Sequence, residues 1–175
     1  MRYAAFLRAV NLGKDRRVTG ARLKELFEER GAEEVATFRT SGNVVFEASR
    51  DMTSELESHL ERALGHEMAI FLRTAKQLKA MAEHKPFPAR EVEASKGKLQ
   101  VLLLRSKPSA AKQKQALALA TEEDRLAFGA RELNWLPSGG TMESTLDQKA
   151  LGMLIGETTQ RTQGTIEQLH AKFFV

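Results

Sequence analysis

The sequence predicts an α+β protein built as two ferredoxin-like, split-βαβ halves with antiparallel-rich sheets and C-terminal helices, and three observations carry that reading. Up to residue 73, short apolar strand runs and helical stripes follow one another in the order β-α-β-β-α-β. Leu56, Leu60 and Leu64 recur every four residues and the stripe stops at Gly65, which marks an amphipathic helix with a glycine end. The run Val101-Leu102-Leu103-Leu104 is apolar on both faces, as expected of a central strand in a second sheet.

Taken in order, residues 3–8 read as a short strand, and the polar residues 11–17 loop to Thr19. Thr19 is a suitable N-cap for a helix lined by Leu23, Leu26 and Phe27 and ended by Gly31. Residues 35–39 and 43–48 are two strands joined at Ser41-Gly42, and Thr53 or Ser54 caps the helix that carries Leu56. Residues 68–73 form the next strand. A third helix over 74–83 turns Leu78, Met81 and Ala82 inward until Lys85-Pro86-Phe87-Pro88 stops it. The polar residues 89–98 read as a connection. Beyond them come a strand over 99–105, a helix over 109–120, strands over 125–128 and 132–136 hinged near Gly129, and a loop at Pro137-Ser138-Gly139-Gly140. The remainder reads as helical, with Leu146, Ala150 and Leu154 on one stripe, a break at Gly156, and a last helix using Ile166, Leu169 and Phe173. The expected division is a first half with trailing helix at 1–84, a connection at 85–98 and a second half at 99–175. The halves repeat an architecture without a shared residue pattern.

Length and composition bound the class. A chain of 175 residues, 42% apolar and 29% charged, buries enough surface to fold without staples and is not disordered. Lys and Arg number 27 against 23 Asp and Glu, a net +4 that is too small to identify a nucleic-acid binder. Without cysteine there is no disulfide framework, thiolate nucleophile or Cys-based zinc site, and a cytoplasmic location is expected. The apolar run at the N-terminus is too short for a signal peptide, and no stretch reaches the roughly 20 apolar residues of a membrane span.

Candidate chemistry is confined to polar corners. His59, His66, His84 and His170 lack the one-turn spacing of a helical metal site and read as surface residues. There is no Gly-x-Gly-x-x-Gly and no Walker loop, so no cofactor is expected. Arg8, Asn11, Lys14, Arg16 and Arg17 precede a helix N-terminus whose free N–H groups favour anions. The alternative is that Asn11 and Gly13 shape a turn while the bases are solvated or pair with Glu25, Glu28 or Glu29. Ser41-Gly42-Asn43 has a similar pair of readings: a tight turn with positive φ at Gly42, or a strand corner where Ser41 and Asn43 face a ligand. No base is assignable to Ser41, which argues against a catalytic serine. Near the end, Thr158 or Thr162 caps the last helix, while Arg161, a cation beside a helix start, calls for an anion or a carboxylate. Trp135 is expected to pack in the core with Leu133.

The segments Phe6-Leu7-Arg8-Ala9-Val10-Asn11-Leu12-Gly13, Ser41-Gly42-Asn43-Val44-Val45-Phe46, Pro86-Phe87-Pro88 and Thr159-x-Arg161-x-x-x-Thr165 together resemble the bacterial domain-of-unknown-function 1697 family over nearly the whole chain. The resemblance implies two ferredoxin-like halves and brings no activity. The family has Gly where this chain has Ala9 and Lys14, Asn where it has Lys85, and arginine-asparagine-tryptophan where it has Arg161-Thr162-Gln163. Residues carried over are Arg8, Asn11, Ser41, Asn43, Ser144 and Arg161; with Lys14 they form the candidate ligand site. The leading functional expectation is a small anionic ligand, a nucleotide or phosphorylated metabolite. The alternatives are a nucleic-acid-binding module and a small transferase or hydrolase. Aromatic residues make up only 6% of the chain, which weakens the nucleic-acid reading, and Phe6 and Phe46 read equally well as core.

Overall fold

The computed structural model describes residues 1–9, 18–39 and 42–175, which divide into two compact units, Met1–Lys79 with Lys172–Val175, and Ala80–Ala171. The first unit contains β1 (Arg2–Ala9), α1 (Gly20–Glu28), β2 (Glu33–Phe38), β3 (Asn43–Glu47), α2 (Thr53–Leu64), β4 (Met68–Thr74) and the start of α3 (Ala75–Glu83). Its strands pair antiparallel in the order β2-β3-β1-β4, the ferredoxin-like arrangement expected from the element order. Alternation along the strands sorts the side chains. Tyr3, Ala5 and Leu7 share a face with Val44, Phe46, Ile70 and Leu72, and this face packs with Leu23, Leu26 and Phe27 of α1 and Leu56 and Leu60 of α2. Ala4, Phe6, Val45 and Phe71 on the alternate face are buried too.

Local chemistry sets the element ends. Thr19 caps α1 as expected, its hydroxyl accepting from the Arg22 amide at 3.1 Å. Neither Thr53 nor Ser54 caps α2: Met52 holds the cap position and the Asp51 carboxylate takes the Thr53 amide at 2.8 Å. The carboxylate two residues before the helix start thus serves an orphan donor that the apolar Met52 side chain cannot. Gly65 ends α2 in the left-handed region at φ 77°. Thr74 and Gln77 exchange side-chain-to-amide bonds of 3.2 and 3.0 Å, a capping box at the start of α3. On edge strand β4, the Glu57 carboxylate accepts from the Ile70 amide at 2.8 Å and so occupies an edge donor that could template another strand.

The second unit continues with α4 (Ala89–Ala94), β5 (Gln100–Leu104), α5 (Ala110–Leu117), β6 (Asp124–Phe128), β7 (Glu132–Pro137), α6 (Gln148–Ile155), β8 (Thr158–Thr162) and α7 (Gln163–Phe173). Its antiparallel order, β6-β7-β5-β8, repeats that of the first sheet, with the apolar β5 central as expected. The reading of everything after residue 146 as helical is corrected by β8. That strand carries no apolar alternation because the residues it buries are Thr159 and Arg161. Leu102, Leu104, Leu133 and Trp135 form one core face with Ala116, Leu146, Leu151 and Ile155, so Trp135 packs with Leu133 as expected. His66 departs from the surface reading: it is buried, and its Nδ1 meets the Glu67 carbonyl at 3.2 Å. Among the described residues no helix is long and apolar enough to cross a membrane.

Two glycines give opposite expectations. A methyl group on Gly97 would overlap the carbonyl oxygen of Gly139, where the Lys96 amide already bonds the Ser138 carbonyl at 3.3 Å. Gly97→Ala is expected to lower the unfolding free energy by about 1–3 kcal/mol, as overpacking against backbone does. Gly152 lies inside α6 with open space where a Cβ would stand, so Gly152→Ala should raise stability by about 0.5–1 kcal/mol. Urea unfolding followed by the fluorescence of Trp135 measures both, and equal effects from the two substitutions would contradict this account.

Candidate functional site

In the first unit, β1 and β3 pair Phe6 with Asn43, and Arg8 follows Phe6 on the same face of the sheet. Arg8 is exposed, whereas Asn43 is 1% exposed. The Asn43 amide donates to the Phe38 carbonyl at 2.9 Å, across the β2–β3 turn. Gly42 has φ 76°, the positive value expected of it, and its carbonyl accepts from the Leu7 amide at 2.8 Å. Asn43 therefore has a demonstrated part in closing this corner. Asn11, Lys14 and Ser41 lie outside the described residues, as do Arg16 and Arg17. Glu25 and Glu29 pair with Arg22, and Glu28 with Lys24.

In the second unit, Arg161 sits on edge strand β8 opposite Val101 of β5, which in turn pairs with Asn134 of β7. Paired positions share a face, so Arg161, Asn134, Thr159 and Glu132 belong to one side of the sheet, opposite Trp135. All four are buried. The Arg161 guanidinium donates from one nitrogen to the Thr159 hydroxyl and to the Gln160 carbonyl, both at 2.8 Å. Burial pulls its pKa well below the ordinary guanidinium value, to about 10, because the charged form loses hydration. Thr162, the last residue of β8, caps α7 by accepting from the Thr165 amide at 3.2 Å.

Sequence reasoning passed over two polar residues here. The Asn134 amide nitrogen donates to the Ala127 carbonyl and meets His84 Nδ1, each at 3.3 Å. An amide N–H can only donate, so Nδ1 is the acceptor in this contact. Gln163 donates to the Met81 and Ala82 carbonyls at 3.1 and 3.2 Å, tying α7 to the end of α3. The signal for Asn134 was available: Glu132 and Asn134 break the apolar pattern of β7 two residues apart, on one face.

Ser144 follows a 3-10 turn (Thr141–Glu143), and its hydroxyl accepts from the Leu146 amide at 3.1 Å, a local structural bond. A cleft of about 310 Å³ opens elsewhere in this unit, between α4, the start of β6 and the end of β7. None of the residues expected from sequence lines it. Its charges are Glu91, Glu122, Glu123 and Arg125, with Arg125 paired to Glu91, so its balance opposes an anion. Among the described residues no group of His, Asp and Glu is arranged to hold a metal ion.

Fold and polar faces define a two-unit protein with a ferredoxin-like sheet in each unit. Residues 1–133 match the model of the family described as protein of unknown function, DUF1697, and the chain belongs to that family. Among solved structures, the chain is similar to the conserved bacterial protein SP0830 from Streptococcus pneumoniae. The likeness covers 98% of each chain at 21% identity with a TM-score of 0.71, and so concerns the fold. No curated protein matches the chain.

Proposed function

We propose that this protein binds a small anionic ligand, a nucleotide or phosphorylated metabolite, and that Arg161 supplies the charge that holds it. The observation behind this reading is a guanidinium buried on an edge strand and lowered to about 10 by burial. A charge contact in such surroundings is worth several times one in open water, so an anion reaching Arg161 offsets the lost hydration. The Thr159 hydroxyl holds the guanidinium in place. Arg8 gives the first unit an exposed cation on the face where Asn43 closes the corner, which suits it to the same class of ligand. A cytoplasmic setting fits both that ligand class and a chain without cysteine.

A thermal-shift screen against nucleotides and phosphorylated metabolites tests the proposal. A ligand at about one hundred times its Kd should add about 2.7 kcal/mol of apparent stability. Arg161→Met should abolish the shift and Arg161→Lys should keep part of it. A panel that leaves the wild type unmoved, or a shift that persists in R161M, would overturn the proposal.

A further inference from the structure

We propose that the edge of the first unit around Phe38 is a second, separate binding surface, and that its partner is single-stranded nucleic acid. Phe38 ends edge strand β2, half-buried, with the Phe173 ring edge-on to it at 6.0 Å and 85°. Two exposed cations stand against this pair. The Arg39 guanidinium lies 5.3 Å from the Phe38 centroid, and Lys172 Nζ lies 5.8 Å from Phe38 and 5.3 Å from Phe173. Arg39 follows the strand in the left-handed region at φ 59°, a conformation that few non-glycine residues adopt and that accompanies its return over the preceding ring. The aromatic tail is anchored: Arg2 donates to the Phe173 carbonyl at 2.8 Å and lies 6.0 Å from the Phe174 ring, and its other charged neighbour is Glu47 at 3.8 Å. Among the described residues Lys172 meets rings and no carboxylate.

The chemistry of this patch selects its partner. Flanking cations neutralise phosphates, and aromatic rings offer stacking faces that any base can use. An acidic peptide would engage the cations and leave the rings unused. The surface is also distinct from the sheet platform of RNA-binding ferredoxin-like modules, because Phe6 and Phe46 on β1 and β3 are fully buried here. It uses none of the residues assigned to the small anion, so the two proposals stand or fall separately.

Fluorescence anisotropy of a labelled oligouridylate of about twelve nucleotides, within the site sizes of single-strand binders, tests it on the full chain. Micromolar binding is expected, weakening by about tenfold or more between about 50 and 200 mM salt. Lys172→Gln with Arg39→Gln should flatten that salt dependence and weaken binding by about tenfold, since each neutralised phosphate contact lowers the salt slope by roughly one. Phe38→Leu should weaken binding by about five- to hundredfold at unchanged salt slope, the loss of one stacked base. Both exposed-charge substitutions leave the core intact, so a folding failure in Phe38→Leu does not shield the idea. Arg161→Met should bind the oligonucleotide like wild type. Absence of salt-dependent binding, retention of affinity in the double charge variant, or equal affinity for polyglutamate would overturn the proposal.

Discussion

Asp124→Ala is expected to lower the unfolding free energy by about 3 kcal/mol, the loss from a broken charged hydrogen bond together with a buried donor left unmet. Asp124 is 2% exposed at the start of β6, and its Oδ1 accepts from Trp135 Nε1 of β7 at 2.9 Å. Trp135, also 2% exposed, is the largest fully buried side chain and spans the face packed by α5 and α6. The indole N–H has no water to turn to when the carboxylate is removed. Asp124→Asn keeps an oxygen acceptor at the same place and should cost about 1 kcal/mol, the worth of exchanging a charged hydrogen bond for a neutral one. Trp135→Phe strands the carboxylate instead, and the double variant Asp124→Ala, Trp135→Phe leaves neither partner exposed to the other's absence. A cycle of urea unfolding curves followed by far-ultraviolet circular dichroism, needed because the chain has one tryptophan, should give a coupling of about 1.5–3 kcal/mol. Additive effects would mean that this bond contributes nothing beyond the packing of the two side chains.

The elements that sequence reading recovered are those whose burial is apolar. Leu56 and Leu60, the run 101–104 and Leu23-Leu26-Phe27 write their own periodicity because hydrophobic burial selects it. β8 was illegible for the converse reason: a strand that buries Thr159 and Arg161 resembles a polar helix end when read by apolar period. Its threonines read as caps, and Thr162 is one, but the β-branched content of residues 158–162 also favours a strand. Helix α4 is hidden in the same way by its charged composition, its Glu91 meeting Arg125 of β6. Recognition of the corner at Asn43 rested on residue type, and the structure supplies the partner, the Phe38 carbonyl. The patch at Phe38, Arg39, Lys172 and Phe173 joins positions more than 130 residues apart in numbering, through strand-to-tail packing that follows no local spacing rule. No window of sequence could show it.

The stability difference between wild type and Arg161→Met should move with pH in the alkaline range, in a direction fixed by the lowered pKa of this guanidinium. In the folded chain burial holds the Arg161 guanidinium at about 10, well below its ordinary value in the unfolded chain. Between those values the unfolded chain binds a proton that the folded chain has released, so stability rises with pH there. Below the folded pKa both states are charged and the folded one carries the whole desolvation cost, on the order of 3 kcal/mol at about 1.4 kcal/mol per pKa unit. R161M carries no such cost, though it forfeits the bonds to Thr159 and Gln160. Wild type should therefore gain about 1 kcal/mol relative to R161M as pH rises from about 8 to about 11. Lysine and tyrosine titrations are common to both chains and cancel in the difference. A ligand anion on Arg161 favours the charged form and pushes its pKa back up, so a saturating ligand should flatten the slope over the same range. A difference that stays level between about pH 8 and about pH 11 without ligand would show that the folded chain solvates this charge as well as water does.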